Sequence, residues 1–209
     1  KGAHDPALIR PMDEDDLQRL VAARQKLPHL LITVAAETVT PAQIARLSEA
    51  GIVVSIGHSD ASYETVRLAA EAGATMATHL FNAQSQISNR EPGVVGAVLD
   101  LGGLWSGLIA DGIHVAAPSI GIALRAKRGP GRIFLVTDAM SPTGTDATQF
   151  ELTGRTVYRK NGALRLADGT LAGADLTMID AVTYVHRTLG LPLEEALRMA
   201  SLYPAQAIG

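Results

Sequence analysis

Five short, almost continuously apolar runs punctuate the first two thirds of the chain: Leu30-Leu31-Ile32-Thr33-Val34-Ala35, Ile52–Ile56, Ala74–Ala77, Trp105–Ala110 and Ile133–Val136. Runs of this length without strict alternation predict strands covered on both faces. The stretches between them carry helical spacing and helix punctuation. Asp13–Gln25 has acids crowded into its first turn, Thr40-Pro41 opens a helix that ends at Gly51, 59–72 closes on Gly73, another stretch reaches Leu101, and 118–128 follows. Strands that alternate with helices predict βαβ units and a parallel sheet. Residues 1–13, with Gly2, Pro6 and Pro11, read as loop.

The pattern changes after Pro142. Residues 149–172 read as short strands joined by turns at Thr153-Gly154, Asn161-Gly162 and Asp168-Gly169, and Asn-Gly is a strong hairpin signal. Helices over 175–189 and 193–201 close the chain. No linker, repeat or low-complexity tract divides it, so 1–209 reads as a single unit. The expected fold is α/β: part of a (β/α)8 barrel, about five βα units, with a short β-hairpin segment near 149–172. Five strands do not close an eight-stranded barrel, so either the sheet is open or further strands lie upstream.

His58, His79, His114 and Asp138 each stand just past one of the apolar runs, at steps of 21, 35 and 24 residues. Each step is about one βα unit if eight units take ~250 residues, so these side chains would meet on one rim. Alone, each histidine reads more simply as a locally bonded or core residue. Three of six histidines at successive strand ends weaken that simpler reading. Neutral imidazole is a common ligand of zinc and other borderline metals, and a catalytic zinc keeps an open position beside about three protein ligands. His58 and His79 would supply two, with His114 and Asp138 as candidates for the third. Asp138 also suits a general base toward a metal-activated water, against the plainer reading of an N-cap for Thr137-Asp138-Ala139-Met140. The polar loop 81–93 after His79 suits substrate binding. Arg90 within it either grips an anion or pairs with Glu91. His29 reads as structural, and His186, within an amphipathic helix, as a solvated or locally bonded residue.

Composition narrows this further. A net charge of −3 with no long basic run argues against nucleic acid as a partner. The absence of cysteine excludes disulfides and thiolate ligands, and fits a reducing cytoplasm. No signal-peptide-like or membrane-spanning stretch is visible. A start on Lys1-Gly2-Ala3-His4 suggests a piece of a longer protein.

Ordered motifs complete the picture: Lys1-Gly2-Ala3-His4-Asp5-Pro6, Gly57-His58-Ser59, Thr78-His79-Leu80-Phe81-Asn82-Ala83, Arg90-Glu91-Pro92-Gly93, Ala110-Asp111-Gly112-Ile113-His114, Val136-Thr137-Asp138-Ala139, Leu171-Ala172-Gly173 and Arg198-Met199-Ala200-Ser201-Leu202-Tyr203-Pro204-Ala205. In this order they resemble the N-acetylglucosamine-6-phosphate deacetylase family of the amidohydrolase superfamily. The resemblance spans essentially the whole chain. It implies deacetylation of N-acetylglucosamine 6-phosphate to glucosamine 6-phosphate and acetate in amino-sugar catabolism. His58 and His79 would be metal ligands, Asp138 the catalytic carboxylate, and His114 a group that polarises the acetyl carbonyl or holds the sugar. Asn82, Ala83 and Arg90 would bind the phosphosugar, with Asp111, Ala3, His4 and Leu171-Ala172-Gly173 as further substrate contacts. The implied cofactor is a divalent metal, zinc first, with iron, cobalt or manganese as alternatives, and the implied partner is a second copy in a homodimer. Family members carry a further glutamate ligand upstream of the segment matching Lys1–His4, and a small β-sandwich, which this chain would lack. The rival readings are another amidohydrolase with a different amide substrate, or an inactive truncated barrel.

Overall fold

The structure is a computed structural model and describes residues 6–209. Five strands, β1 (Leu31–Val34), β2 (Val53–Ile56), β3 (Met76–Ala77), β4 (Trp105–Leu108) and β5 (Ile133–Leu135), form one sheet in the order β1-β2-β3-β4-β5. Every neighbouring pair is parallel. Helices fill the connections: α2 (Pro41–Glu49), α3 (Tyr63–Glu71), α4 (Gly93–Asp100) and α5 (Ala117–Ala126), with α1 (Glu14–Arg24) preceding β1. Parallel strands in chain order with a helix between each pair make an arc of a (β/α)8 barrel, and all strand C-termini open on one rim.

Local chemistry sets these elements. Asp13 and Thr40 cap α1 and α2 in full capping boxes with Asp16 and Gln43. In α4 every residue from Gly93 to Leu99 is buried, because the helix is packed between its neighbours and the sheet. The main core joins the sheet to these helices and to α6 (Met178–Arg187), α7 (Leu193–Ala200) and α8 (Leu202–Ile208).

A second sheet, antiparallel, follows β5: β6 (Gln149–Leu152), β7 (Arg155–Lys160), β8 (Ala163–Leu166) and β9 (Leu171–Ala174). Thr153-Gly154 and Asn161-Gly162 make its first two turns with both residues at positive φ, the two-residue hairpin geometry that the strands' twist favours. Val157, Leu164, Leu166 and Ala172 give it a small core of its own. It is tied to the barrel arc where Ala174 N–H donates to the Asp138 carbonyl at 2.8 Å.

Some sequence-predicted bounds move, for physical reasons. β1, expected to be covered on both faces, alternates exposed and half-buried residues, because it is the sheet edge among the described residues and Ile32–Ala35 faces a cavity. α3 begins at Tyr63 rather than 59, capped by Ser62, because 57–61 form a rim loop. α6 begins at Met178, since β9 takes up 171–174 and Thr177 is the cap. The tail after Ser201 forms α8, in which Pro204 sits in the first turn, where no helical N–H is required.

Candidate active site

The rim gathers the strand-end residues. His58 follows β2 and His79 follows β3, with their Nε2 atoms 3.0 Å apart and ring centroids 4.8 Å apart in a T-shaped arrangement. Close packing of the two strand ends requires Gly57, because a Cβ there would stand 2.1 Å from Thr78 Cγ2 and 2.9 Å from Thr33 Cγ2. Asp138, just beyond β5, lines the same space. Two cavities meet at this point. A wide one of about 1060 Å³ runs along Ile32–Ala35 and α1. A narrower one of about 420 Å³ is lined by Asn82, Ala83, His114, Met140, Thr153 and Leu171–Gly173 among others. His58, His79 and Asp138 border both.

The backbone around this junction is strained. Among described residues, non-glycine positions with positive φ are His58, Phe81, Ala83, Asp138, Thr153 and Asn161, and four of the six line the narrower cavity. Each such residue costs on the order of 1 kcal/mol or more and persists only where its surroundings over-determine it. Gln84, 2% exposed, is one of the determinants. Its Oε1 accepts from Phe81 N–H at 3.1 Å and its Nε2 donates to the Thr78 carbonyl at 2.7 Å, closing the loop that carries His79, Asn82 and Ala83.

His114 is held by Asp111. The Nδ1 of His114 and a carboxylate oxygen of Asp111 are 2.6 Å apart, and both side chains are almost fully buried. Burial opposes ionisation of Asp111, but hydrogen bonds from the His114 ring and from the His114 and Ile113 amides outweigh it and hold the carboxyl below its ordinary range. With Asp111 ionised, His114 carries a proton on Nδ1 and turns Nε2, buried and without a partner among the described residues, to the cavity. The Asp111 side chain therefore orients His114 and does not line the cavity.

The other expectations divide. Asn82, Ala83, Leu171, Ala172 and Gly173 all line the narrower cavity. At Gly173, φ is +87° and a Cβ would stand 2.3 Å from Met140 Cγ, so glycine lets the β9 backbone approach there. Arg90 lies exposed on its loop and lines neither cavity. Its expected alternative partner, Glu91, is taken by the Tyr63 and Gly93 amides. Ala3 and His4 lie outside the described residues. Asp138 is exposed, and the local side-chain bond there is made by Thr137, whose Oγ1 accepts from Ala139 N–H at 3.4 Å, not by an Asp138 cap. Met140, Thr153 and Thr170 went unforeseen, because hairpin sequence alone does not show which turn faces the barrel.

Two imidazole nitrogens aimed at one point suit a borderline divalent ion: tetrahedral nitrogens at zinc-ligand distance lie about 3.3 Å apart, close to the observed spacing. Among the described residues the pair stands without a third His, Cys, Asp or Glu close enough to make a group of three.

No family model matches the chain. Curated proteins do. The chain is 45% identical over 208 residues to an N-acetylgalactosamine-6-phosphate deacetylase of Shewanella sp. (strain ANA-3), covering all of this chain and 52% of that protein. It is 39% identical over 212 residues to an N-acetylglucosamine-6-phosphate deacetylase of Haemophilus influenzae, covering 100% and 54%. Among solved structures, the N-acetylglucosamine-6-phosphate deacetylase of Pasteurella multocida superposes with a TM-score of 0.94 at 41% identity, covering 100% of this chain and 54% of that one. The Mycobacterium smegmatis enzyme of the same name gives 0.90 at 36%, covering 100% and 56%. The chain spans about half the length of the relatives it matches. In sequence and in fold, the whole of the chain is similar to N-acetylglucosamine- and N-acetylgalactosamine-6-phosphate deacetylases.

Proposed function

We propose that the chain carries the catalytic rim of a metal-dependent deacetylase that hydrolyses N-acetylglucosamine 6-phosphate to glucosamine 6-phosphate and acetate. The observation that carries this reading is the His58–His79 pair beside Asp138 and the Asp111-held His114, at the junction of two cavities. His58 and His79 would hold a divalent ion, zinc first. When bound, such an ion polarises an amide carbonyl and acidifies water. Asp138 takes a proton from the attacking water and passes it to the departing sugar amine, and its carboxylate suits this because it makes no hydrogen bond or ion pair within the described structure. His114, with its ring oriented by Asp111, presents Nε2 to the cavity as a hydrogen-bonding contact for the sugar or its acetyl group. The narrower cavity, at about 420 Å³, is within the usual size range for small-molecule sites. Its contacts from Asn82, Ala83 and Leu171–Gly173 would hold the sugar and its acetamido group, and exposed Arg90 would recruit the phosphate.

A second reading has a specific basis. A relative at 45% identity is named for the galactosamine epimer, so the sugar C4 configuration is the finer question. Acetate release from both phosphosugars and from unphosphorylated N-acetylglucosamine separates the readings. The proposal expects kcat/KM to be highest for N-acetylglucosamine 6-phosphate and to fall at least about tenfold without the phosphate. A preference for the galactosamine epimer favours the second reading, and absence of turnover on all three overturns both.

A further inference from the structure

We infer that Glu37 is a positioning residue that sets the direction of the His58 imidazole. The inference rests on the metal-hydrolase reading and names a residue that lines neither cavity. Glu37 lies in the single helical turn Ala36–Thr38 just after β1, on the neighbouring strand connection to that of His58. Its two carboxylate oxygens are divided between the two residues that follow His58. Ser59 Oγ donates to one oxygen at 2.5 Å, and Asp60 N–H donates to the other at 2.7 Å. Ser59 is fully buried, and its Oγ also accepts from Ala61 N–H at 3.2 Å.

The opposite flank is fixed as well. The Ser59 carbonyl accepts from Ser85 N–H at 3.1 Å, and Ser59 bridges to Gln84 in the loop that carries His79. On the near side, Gly57 N–H donates to the Val34 carbonyl at 3.0 Å. His58 sits between these anchors with φ +49°, in the left-handed region that few non-glycine residues adopt. The backbone before it is tied to β1, and the backbone after it is tied on one side to the His79 loop and on the other to Glu37. Glu37 supplies the only two of these ties that come from a single side chain, at 2.5 and 2.7 Å. Without them, the ties on the Glu37 side are lost and His58 can shift toward negative φ. That would swing its Cα–Cβ bond, and the ring with it, away from His79 Nε2.

Glu37→Ala removes both acceptors. Glu37→Gln keeps one acceptor for Asp60 N–H and gains an amide donor that can meet Ser59 Oγ, so it retains the tether. In the full chain, zinc affinity by chelator competition is expected to fall about 10- to 100-fold in Glu37→Ala, the range for lost support around a metal ligand, and to return to within about threefold of the parent in Glu37→Gln. The thermal midpoint of the metal-free protein, measured in parallel, separates this from general destabilisation. Unchanged affinity in Glu37→Ala overturns the inference, and so does an equal loss in both variants. If the unsubstituted chain binds no zinc, the metal reading fails instead, and the positioning claim is then decided by side-chain ¹H–¹⁵N spectra. A His58 ring resonance that moves in Glu37→Ala and not in Glu37→Gln supports it. A resonance that stays in place in both overturns it.

Discussion

The two edges of the parallel sheet differ in how they are finished. At β5, all three residues are buried, helices α6, α7 and α8 pack against the strand, and the antiparallel sheet joins just past its end. At β1, Leu31 is 42% exposed and the strand borders the wide cavity. The chemistry follows the same division. Toward β5 the site is closed, with His114 clamped by Asp111 and the narrower cavity walled by the hairpin sheet. Toward β1 it is open, and what order exists there is maintained by hydrogen bonds such as those of Glu37. The two histidines stand where the halves meet. Rim geometry here comes from packing on one side and from discrete polar ties on the other.

The sharpest way to break this picture is to remove the junction. His58→Ala or His79→Ala should abolish bound metal and lower kcat/KM by at least about a thousandfold, checked by metal analysis and acetate release. Asp138→Asn should lower kcat by about 10²–10⁴-fold while metal content stays at the parent level, since Asp138 is assigned proton transfer. Retained turnover in that variant removes Asp138 from the role. The edges themselves are compared by truncation. Leu135→Ala, at a β5 position 2% exposed, should cost about 2–5 kcal/mol in urea unfolding, whereas Leu31→Ala on β1 should cost less than about 1 kcal/mol. Equal costs would show that the β1 edge is covered in solution.

The smallest expected effect concerns pH. The carboxyl of Asp111 lies below its unfolded value of 3.8, so the stability it contributes is fully present above that pH and is lost as pH falls through the lower folded value. Asp111→Asn should flatten the acid limb of stability below about pH 4 and alter the pH profile of kcat by freeing the His114 tautomer. An unchanged acid limb would remove Asp111 from the closed half of the site.

Much of this was legible in the sequence, for identifiable reasons. Strands two-sided in their burial write themselves as apolar runs, so β2 to β5 and the residues at their ends were readable, as was the hairpin at Asn161-Gly162. Residues tied across the fold were not. Glu37 meets Ser59 over 22 positions, and nothing in the local pattern of either residue marks the pair. Gln84 reads as a loop polar residue, yet it is buried because its amide replaces backbone partners at two points. The exposure of β1 was hidden because a strand's own residues do not say whether a neighbour lies beyond it. Arg90 shows the converse limit: its motif was readable, but its position relative to the cavities was not.

In the proposed site, His58 and His79 share one divalent ion through their Nε2 atoms. Anomalous diffraction at the zinc edge from crystals of the zinc-loaded chain tests it directly. One peak within about 2.0–2.2 Å of both nitrogens is expected. A peak bonded to only one of them, or none at the pair in protein that has bound zinc elsewhere, would contradict it.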